Sequence, residues 1–223
     1  MEYIYKGDEK IIGGSGFIGT RLSKRLIRSE EEFNIVDKVE SKSFASICNI
    51  ADVRDTDSLS KVLEGDDIII NLAAEHRDDV TPKTLYDDVN VQGARNVCEV
   101  AEQKGINTII FTSSVAVYGF APLGTDESGE INYFNDYGRT KYEAELVYKA
   151  WQEKDPKNRK LVIVRPTVVF GEQNRGNVYN LLRQIASGKF MMIGDGTNRK
   201  SMAYVENITA FLEYSLGFEN GVL

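Results

Sequence analysis

Cysteine, proline and histidine are scarce in this sequence, and the shortages exclude several classes of protein. The 223 residues include 2 cysteines, 4 prolines and 1 histidine. Cys48 and Cys98 lie far apart and outside the spacings of metal ligands, so we expect ordinary thiols in a reducing cytoplasm and no metal site. No run rich in proline, glycine or serine indicates a linker. These features favour one large domain, or one domain with a small appendage.

Basic residues and long apolar runs are also too few to indicate binding to nucleic acid or insertion into a membrane. Lysine and arginine total 27 against 34 aspartates and glutamates, a formal net charge of −7, so the basic surface that nucleic acid requires is not expected. No apolar run approaches the roughly 20 residues of a membrane span. The first ten residues, MEYIYKGDEK, lack the regions of a signal peptide. We expect a soluble, cytoplasmic protein that binds neither nucleic acid nor membrane.

Short apolar runs alternate with stretches of helical periodicity along most of the chain. The runs are 10–12, 33–37, 67–73, 107–114 and 160–166. This alternation predicts an α/β fold, a doubly wound parallel sheet of the Rossmann type with helices on both faces. After residue 171 the pattern changes to a helix, a short strand, a glycine-rich turn and another helix. We therefore expect a sheet domain over 1–170 and a small lobe over 171–223 that leans on it.

Three glycines separate the first predicted strand from the first predicted helix. Gly13, Gly16 and Gly19 let the backbone approach a ligand, and the helix start offers unpaired N–H groups, so a phosphate is the expected guest. Asp37 ends the next strand, where a carboxylate binds the ribose hydroxyls of an adenosine and disfavours a 2′-phosphate. The pattern favours NAD over NADP, although Lys38 weakens that preference. A purely structural glycine turn is the alternative.

The ends of the third and fourth predicted strands carry a second group of candidates: Asp52, Val53, Asn71, Ala73 and Ala74. A carboxylate at Asp52 is placed to accept the adenine amino group, and small residues let a cofactor lie close. The alternative is equally supported: Asp52 caps a helix beginning near Thr56, and the two alanines only pack.

A tyrosine and a lysine four residues apart give the strongest chemical signal. In DYGRTKYEAE, Tyr137 and Lys141 share one face of a predicted helix. A phenol with a pKa of about 10 is a poor base at neutral pH, but an adjacent ammonium stabilises the phenolate. Tyr137 could then take a proton from an alcohol while a hydride leaves for a nicotinamide. Ser113 and Ser114 end the fifth strand at the same sheet edge; alone, the tyrosine and lysine would indicate only a solvated helix face.

Five motifs in order, GGSGFIG, NLAA, SSVAVYG, YGRTK and RPTVVFG, together with Asp37 resemble the extended short-chain dehydrogenase/reductase family. The resemblance is to its NAD-dependent nucleotide-sugar epimerases and dehydratases, and it runs from about residue 10 to about residue 215. Each motif is modest alone, but the ordered set is highly specific. The resemblance implies an NAD-binding domain followed by a lobe that binds a nucleotide sugar.

The resemblance also implies roles for matched positions. Ser114 would be the catalytic serine, Tyr137 the base, and Lys141 its partner and a ligand of the nicotinamide ribose. The residues expected to contact NAD are Gly13, Gly16, Phe17, Ile18, Gly19, Asp37, Asp52, Val53, Asn71, Ala73, Ala74, Tyr137, Lys141, Pro166 and Val168. Those expected to contact the substrate are Asn177 and Lys200.

The sequence departs from the family in three places. The strand before the glycines is short and polar at GDEK. Ile12 stands where threonine is usual, and family members usually carry a further stretch of substrate lobe beyond a position like Leu223. Cofactor binding is therefore better founded than turnover. His76 follows the fourth strand and is expected to be an exposed loop residue rather than a catalytic one.

Several functions remain open at this stage. The favoured one is an epimerase or reductase that oxidises a nucleotide sugar at C4. The alternatives are an oxidoreductase of another alcohol or ketone, and a regulatory protein that holds NAD without turnover. Val115 and Ala116 occupy the positions where similar dehydratases carry an Asp-Glu pair, which disfavours dehydration. The sequence does not indicate the oligomeric state, and we expect a homodimer.

Overall fold

Nine strands form the framework of the protein, described by a computed structural model over residues 8–77, 79–218 and 221–222. The strands are β1 (Glu9–Ile12), β2 (Phe33–Asp37), β3 (Cys48–Ile50), β4 (Ile68–Asn71), β5 (Thr108–Thr112), β6 (Lys160–Val164), β7 (Val168–Phe170), β8 (Met202–Tyr204) and β9 (Gly221–Val222). Seven of them form one parallel sheet in the order β3-β2-β1-β4-β5-β6-β9, and β7 pairs with β8. The predicted doubly wound sheet is confirmed.

Helices connect the strands. They are α1 (Phe17–Arg28), α2 (Thr56–Ser60), α3 (Thr84–Tyr86), α4 (Gly93–Lys104), α5 (Asp136–Glu153), α6 (Asn177–Ala186) and α7 (Val205–Ser215). A π-helical stretch, Asp87–Gln92, joins α3 to α4, and 3-10 turns cover Ala45–Ile47 and Val115–Tyr118. Among the described residues, none of the helices combines the length and apolar composition needed to cross a membrane.

Helices cover both faces of the sheet. Because consecutive strand residues point to opposite faces, each strand contributes to two apolar layers. Ile11 belongs to the apolar layer that includes Leu22 of α1 and Leu212 of α7. Ile12 belongs to the opposite layer, with Val97 of α4 and with Trp151, Ala144 and Tyr148 of α5. Burial on both faces explains why the strands read as nearly continuous apolar runs.

The region after β7 differs from the predicted order of elements. The strand expected before the glycine-rich turn is wrong: residues 190–193 are exposed and outside any strand, and β8 follows the turn instead. A strand needs a hydrogen-bonding partner, and β7 supplies one to β8, pairing Val168 with Met202. The division of the chain between residues 170 and 171 stays a prediction.

Candidate active site

The site lies where the order of the sheet reverses. The chain runs from β1 outward to β2 and β3, then returns to β4 on the other side of β1. In open parallel sheets, ligands bind at the carboxyl ends of the strands at such a point. The glycine turn follows β1, Asp37 ends β2, and Ser114 follows β5. The fold therefore brings these three predicted groups to one edge.

The glycine turn packs tightly against the end of β4. Gly13 has a φ of +78°, and a Cβ on it would lie 2.7 Å from the backbone nitrogen of Ala73. A Cβ on Gly19 would lie 2.5 Å from Cα of Gly14. Side chains are therefore excluded at Gly13 and Gly19 for steric reasons, which leaves bare backbone at Gly13 next to β4. Sequence reasoning missed Gly14, although the repeated glycine in GGSG was a signal for it.

The first turn of α1 offers partial positive charge. The helix begins at Phe17, with extended backbone at the exposed Gly16 before it, and its first turn contains no acidic residue. Amide groups at a helix start, without a carboxylate beside them, favour an anion. Phe17 and Ile18 are half-buried, and Ile18 packs against the α1 side of the core.

Asp37 reaches the glycine turn directly. One carboxylate oxygen accepts the Ser15 N–H at 3.0 Å, and the other accepts the Val39 N–H at 3.2 Å. The acidic residue and the glycines are thus held together, as their spacing predicted. Ser15 was not singled out from the sequence; its hydroxyl also donates to the Val39 carbonyl at 2.9 Å. Contact of Asp37 with a ribose stays a prediction.

Asp52 is held by a neighbouring arginine. The Arg54 guanidinium donates to its carboxylate, with Nη2 2.6 Å and Nε 3.0 Å from the two oxygens, and this holds the pKa of Asp52 below its usual value. The suggestion that Asp52 caps a helix is wrong: α2 does begin at Thr56, but its cap is Asp55, whose side chain accepts the Asp57 N–H.

The other predicted residues at these strand ends are largely internal. Val53 is buried, and its carbonyl accepts a hydrogen bond from Asn96 at 2.8 Å. Asn71 is also buried; its side chain accepts the Ala73 N–H at 2.9 Å and donates to the Tyr148 hydroxyl at 2.6 Å. Asn71 therefore fixes the segment that faces Gly13. Ala73 and Ala74 are half-buried.

Ser114 stands at the head of a short turn beside β6. Its side chain accepts the Ala116 N–H at 3.1 Å and so caps the 3-10 turn Val115–Tyr118. The Val115 N–H donates to the Pro166 carbonyl at 3.1 Å. Pro166 is thus held next to the turn that Ser114 begins, and its contact with NAD stays a prediction.

Tyr137 and Ser114 meet across the site. Tyr137 lies in the first turn of α5 and is half-buried. Burial raises the pKa of its phenol above the usual 10, and a hydrogen bond with the Ser114 side chain opposes that rise. A phenol bonded to a second hydroxyl can share a substrate oxygen with it, which suits proton transfer to or from an alcohol.

Lys141 is buried one helical turn after Tyr137. Its side-chain nitrogen lies 4.2 Å from the centre of the Phe111 ring, and the residue is 1% exposed. Burial lowers the pKa of the ammonium to about 7, while the Glu145 carboxylate works in the raising direction. An amine that titrates near neutrality is suited to modulating an adjacent phenol.

The predicted substrate residues lie in the part of the chain after β7. Asn177 begins α6 and Lys200 precedes β8, and both are exposed. Val168 pairs with Met202, two residues after Lys200. His76 is exposed, as expected.

Comparison with known families agrees with this geometry. The model of the NAD dependent epimerase/dehydratase family matches residues 10–219. The match includes the glycine turn, Asp37, Ser114, Tyr137 and Lys141.

Two curated proteins and one solved structure illustrate the similarity. The chain is 55% identical over 208 residues to an N-acetyl-alpha-D-glucosaminyl-diphospho-ditrans,octacis-undecaprenol 4-epimerase of Escherichia coli O157:H7, covering 92% of this chain and 62% of that protein. It is 29% identical to a UDP-glucose 4-epimerase of Vibrio cholerae, covering 89% and 63%. The chain thus spans less than two thirds of the length of these two relatives. The UDP-glucose 4-epimerase of Thermus thermophilus, in complex with NAD, shares the fold with a TM-score of 0.83 at 20% identity, covering 96% of this chain and 76% of that one.

Proposed function

Because this chain belongs to the NAD dependent epimerase/dehydratase family, we propose that it binds NAD and epimerises at C4 a sugar carried on a diphosphate. The observation that carries the proposal is that the Ser114 and Tyr137 side chains lie next to each other, with Lys141 one helical turn after Tyr137, at the same sheet edge as the glycine turn. A regulatory binder would not need this set of groups.

The residues at the strand ends fit a dinucleotide. A side chain at Gly13 would collide with Ala73, so the backbone there is bare enough for close approach by a pyrophosphate. The start of α1 would hold the phosphates, and Asp37, already at the glycine turn, would accept the ribose hydroxyls. We propose that the remaining expected residues, from Asp52 to Val168, line this site.

The catalytic groups have separate tasks in this proposal. Bound NAD would supply hydride transfer from C4 of the sugar and back to its opposite face. Tyr137 removes the proton from the C4 hydroxyl and gives it back after the hydride returns. Ser114 hydrogen-bonds the same oxygen, and protonated Lys141 stabilises the phenolate.

The names of the relatives and the local charge support the proposed substrate class. The Escherichia coli relative acts on a sugar linked through a diphosphate to undecaprenol, and the Vibrio cholerae relative on UDP-glucose. Both substrates carry a diphosphate. Residues 175–200 include five basic residues and one acidic residue, Asp195, and all five basic residues are exposed. We propose that this segment, with Asn177 and Lys200, meets the diphosphate.

The proposed reaction is tested by product analysis. Protein with NAD is incubated with UDP-N-acetylglucosamine in one arm and with undecaprenyl-diphospho-N-acetylglucosamine in the other, and the sugars are followed by NMR. We expect the 4-epimer, and the two arms identify the carrier. A 4-keto-6-deoxy product would instead indicate a dehydratase, whose acid and base would have to come from residues other than Val115 and Ala116. Binding of NAD without conversion of either substrate would favour the regulatory alternative.

Cofactor preference is a separate prediction. We expect NAD to bind at least about 10-fold more tightly than NADP, because the Asp37 carboxylate repels a 2′-phosphate. Asp37→Asn should lower that ratio. Isothermal titration of both cofactors measures it, with Asp57→Asn, an exposed position on α2, as the control. Equal binding of both cofactors by the unsubstituted protein would show that Asp37 does not select.

Three further proposals accompany this function. We propose that the lobe after residue 170 contributes to the substrate site. We also propose that the protein acts in the cytoplasm, where NAD is available and thiols stay reduced, and that it forms a homodimer. Sedimentation analysis would test the last of these.

A further inference from the structure

A buried carboxylate on the catalytic helix is absent from the mechanism described so far. We propose that Glu145 is a positioning residue: it keeps Lys141 protonated and, through Arg165, fixes α5 against the turn that carries Ser114. The predicted effect on catalysis rests on the proposed function, whereas the predicted effect on the protonation of Lys141 does not.

The first observation is a two-point contact between α5 and the end of β6. Arg165 Nε donates to Glu145 Oε1 at 2.8 Å, and Nη2 donates to Oε2 at 2.5 Å. The Glu145 side chain is 0% exposed and that of Arg165 is 5% exposed. A paired guanidinium and carboxylate define both distance and angle, so this contact fixes the rotation of α5 about its axis.

The second observation connects the same arginine to the serine turn. Arg165 Nη1 donates to the Tyr118 hydroxyl at 2.5 Å, and the guanidinium carbon lies 5.0 Å from the centre of the Tyr118 ring. Tyr118 is the last residue of the 3-10 turn that Ser114 caps. Arg165 therefore joins the helix of Tyr137 and Lys141 to the turn of Ser114.

The third observation concerns the charge balance around Lys141. Glu145 lies four residues after Lys141, on the same face of α5, and it is the charged group whose attraction acts on the ammonium. Tyr137 and Lys149 share the helix, and Lys149 Nζ is 3.9 Å from Glu145 Oε2. Arg165 comes from the end of β6 and Tyr118 from the serine turn. Glu145 is thus the acidic group among several basic ones in this described cluster.

A purely structural ion pair would be a weak explanation of this arrangement. Burying two charges costs about as much free energy as their attraction returns, so the pair by itself adds little to stability. A carboxylate is needed only if its charge acts on something else. Besides Arg165, Lys141 is a buried cation on the same helix face as Glu145.

The electrostatic part is tested by NMR titration of 13C-labelled lysine, with the Lys141 signal assigned by its loss in Lys141→Met. We expect Glu145→Gln to lower the pKa of Lys141 by about one unit. Arg165→Met removes a competing cation and should raise it. Opposite shifts are the signature of a charge effect; no shift in either variant would overturn the proposal. If one variant fails to fold, the direction of the change in the pKa of Lys141 in the other variant decides.

The catalytic part is tested by the pH dependence of kcat. With Lys141 neutral, the phenolate of Tyr137 loses its stabilisation, so the rise of kcat with pH should move to higher pH in Glu145→Gln, with a fall of about 10-fold at neutral pH. Glu143→Gln, which removes a more exposed ion pair from the same helix, should leave the profile unchanged. Shifted lysine titrations without turnover of any substrate by the unsubstituted protein would refute the proposed function and leave the role of Glu145 intact. An unshifted profile in an active Glu145→Gln enzyme would overturn the positioning role.

Discussion

We expect Tyr137→Phe to lower kcat by about 100-fold or more, which corresponds to about 2.7 kcal/mol of activation free energy. The substitution removes one oxygen, the one that lies next to the Ser114 side chain. Without it, no group in the proposed mechanism takes the proton from the C4 hydroxyl. The Kd for NAD should stay within about threefold, because the ring remains and only interactions made during the reaction are lost.

A matched control lies on the same helix. Tyr142 is half-buried on α5 and packs near Tyr133, with ring centres 6.4 Å apart. Tyr142→Phe removes the same atom away from the site, and kcat should be unchanged. Steady-state kinetics with the converted substrate, together with NAD titration, gives both parameters. Turnover by Tyr137→Phe at the rate of the control would remove Tyr137 from the mechanism.

The sheet could be predicted because its strands carry their own signal. Residues 68–71, IIIN, are all buried, and a short apolar run between turns is typical of a central parallel strand. The strand after the glycine-rich turn could not be placed in the same way. Residues 190–193 look more like a strand by composition, but pairing is decided by the distant β7, which the local sequence does not report.

The proposed catalytic residues could be predicted together because their spacing is local, whereas the residues that support them depend on tertiary contacts. Tyr137 and Lys141 share a helix face by sequence alone. Arg165 meets Glu145 only because β6 ends beside α5. The spacing of Glu145, four residues after Lys141, was a local signal in the sequence. Its pairing with Arg165 could not be predicted from that spacing. Asp52 is a different case: Arg54, which donates to its carboxylate, lies only two residues along the chain, so the arginine was a local signal for this pair.

The turn after β1 provides the second large effect. We expect Gly13→Ala to raise the Kd for NAD by about 100-fold or more and to lower the free energy of unfolding by about 2 kcal/mol or more. Two costs combine. A residue with a Cβ is strained at a φ of +78°, and the added carbon would lie 2.7 Å from the backbone nitrogen of Ala73. Backbone atoms at the end of β4 move only if the strand moves, so the turn itself should shift and lose the surface proposed for the pyrophosphate.

Gly105 allows the two costs to be separated. It follows α4 with a φ of +77°, but a Cβ there would meet no described atom within 4 Å. Gly105→Ala therefore carries the backbone strain alone, roughly 1–2 kcal/mol, and its Kd for NAD should match that of the unsubstituted protein. Denaturant unfolding gives the stability of both variants, and isothermal titration gives their affinity. If folded Gly13→Ala binds NAD as tightly as Gly105→Ala, the turn after β1 does not hold the cofactor. The site would then have to be sought elsewhere along the carboxyl edge of the sheet.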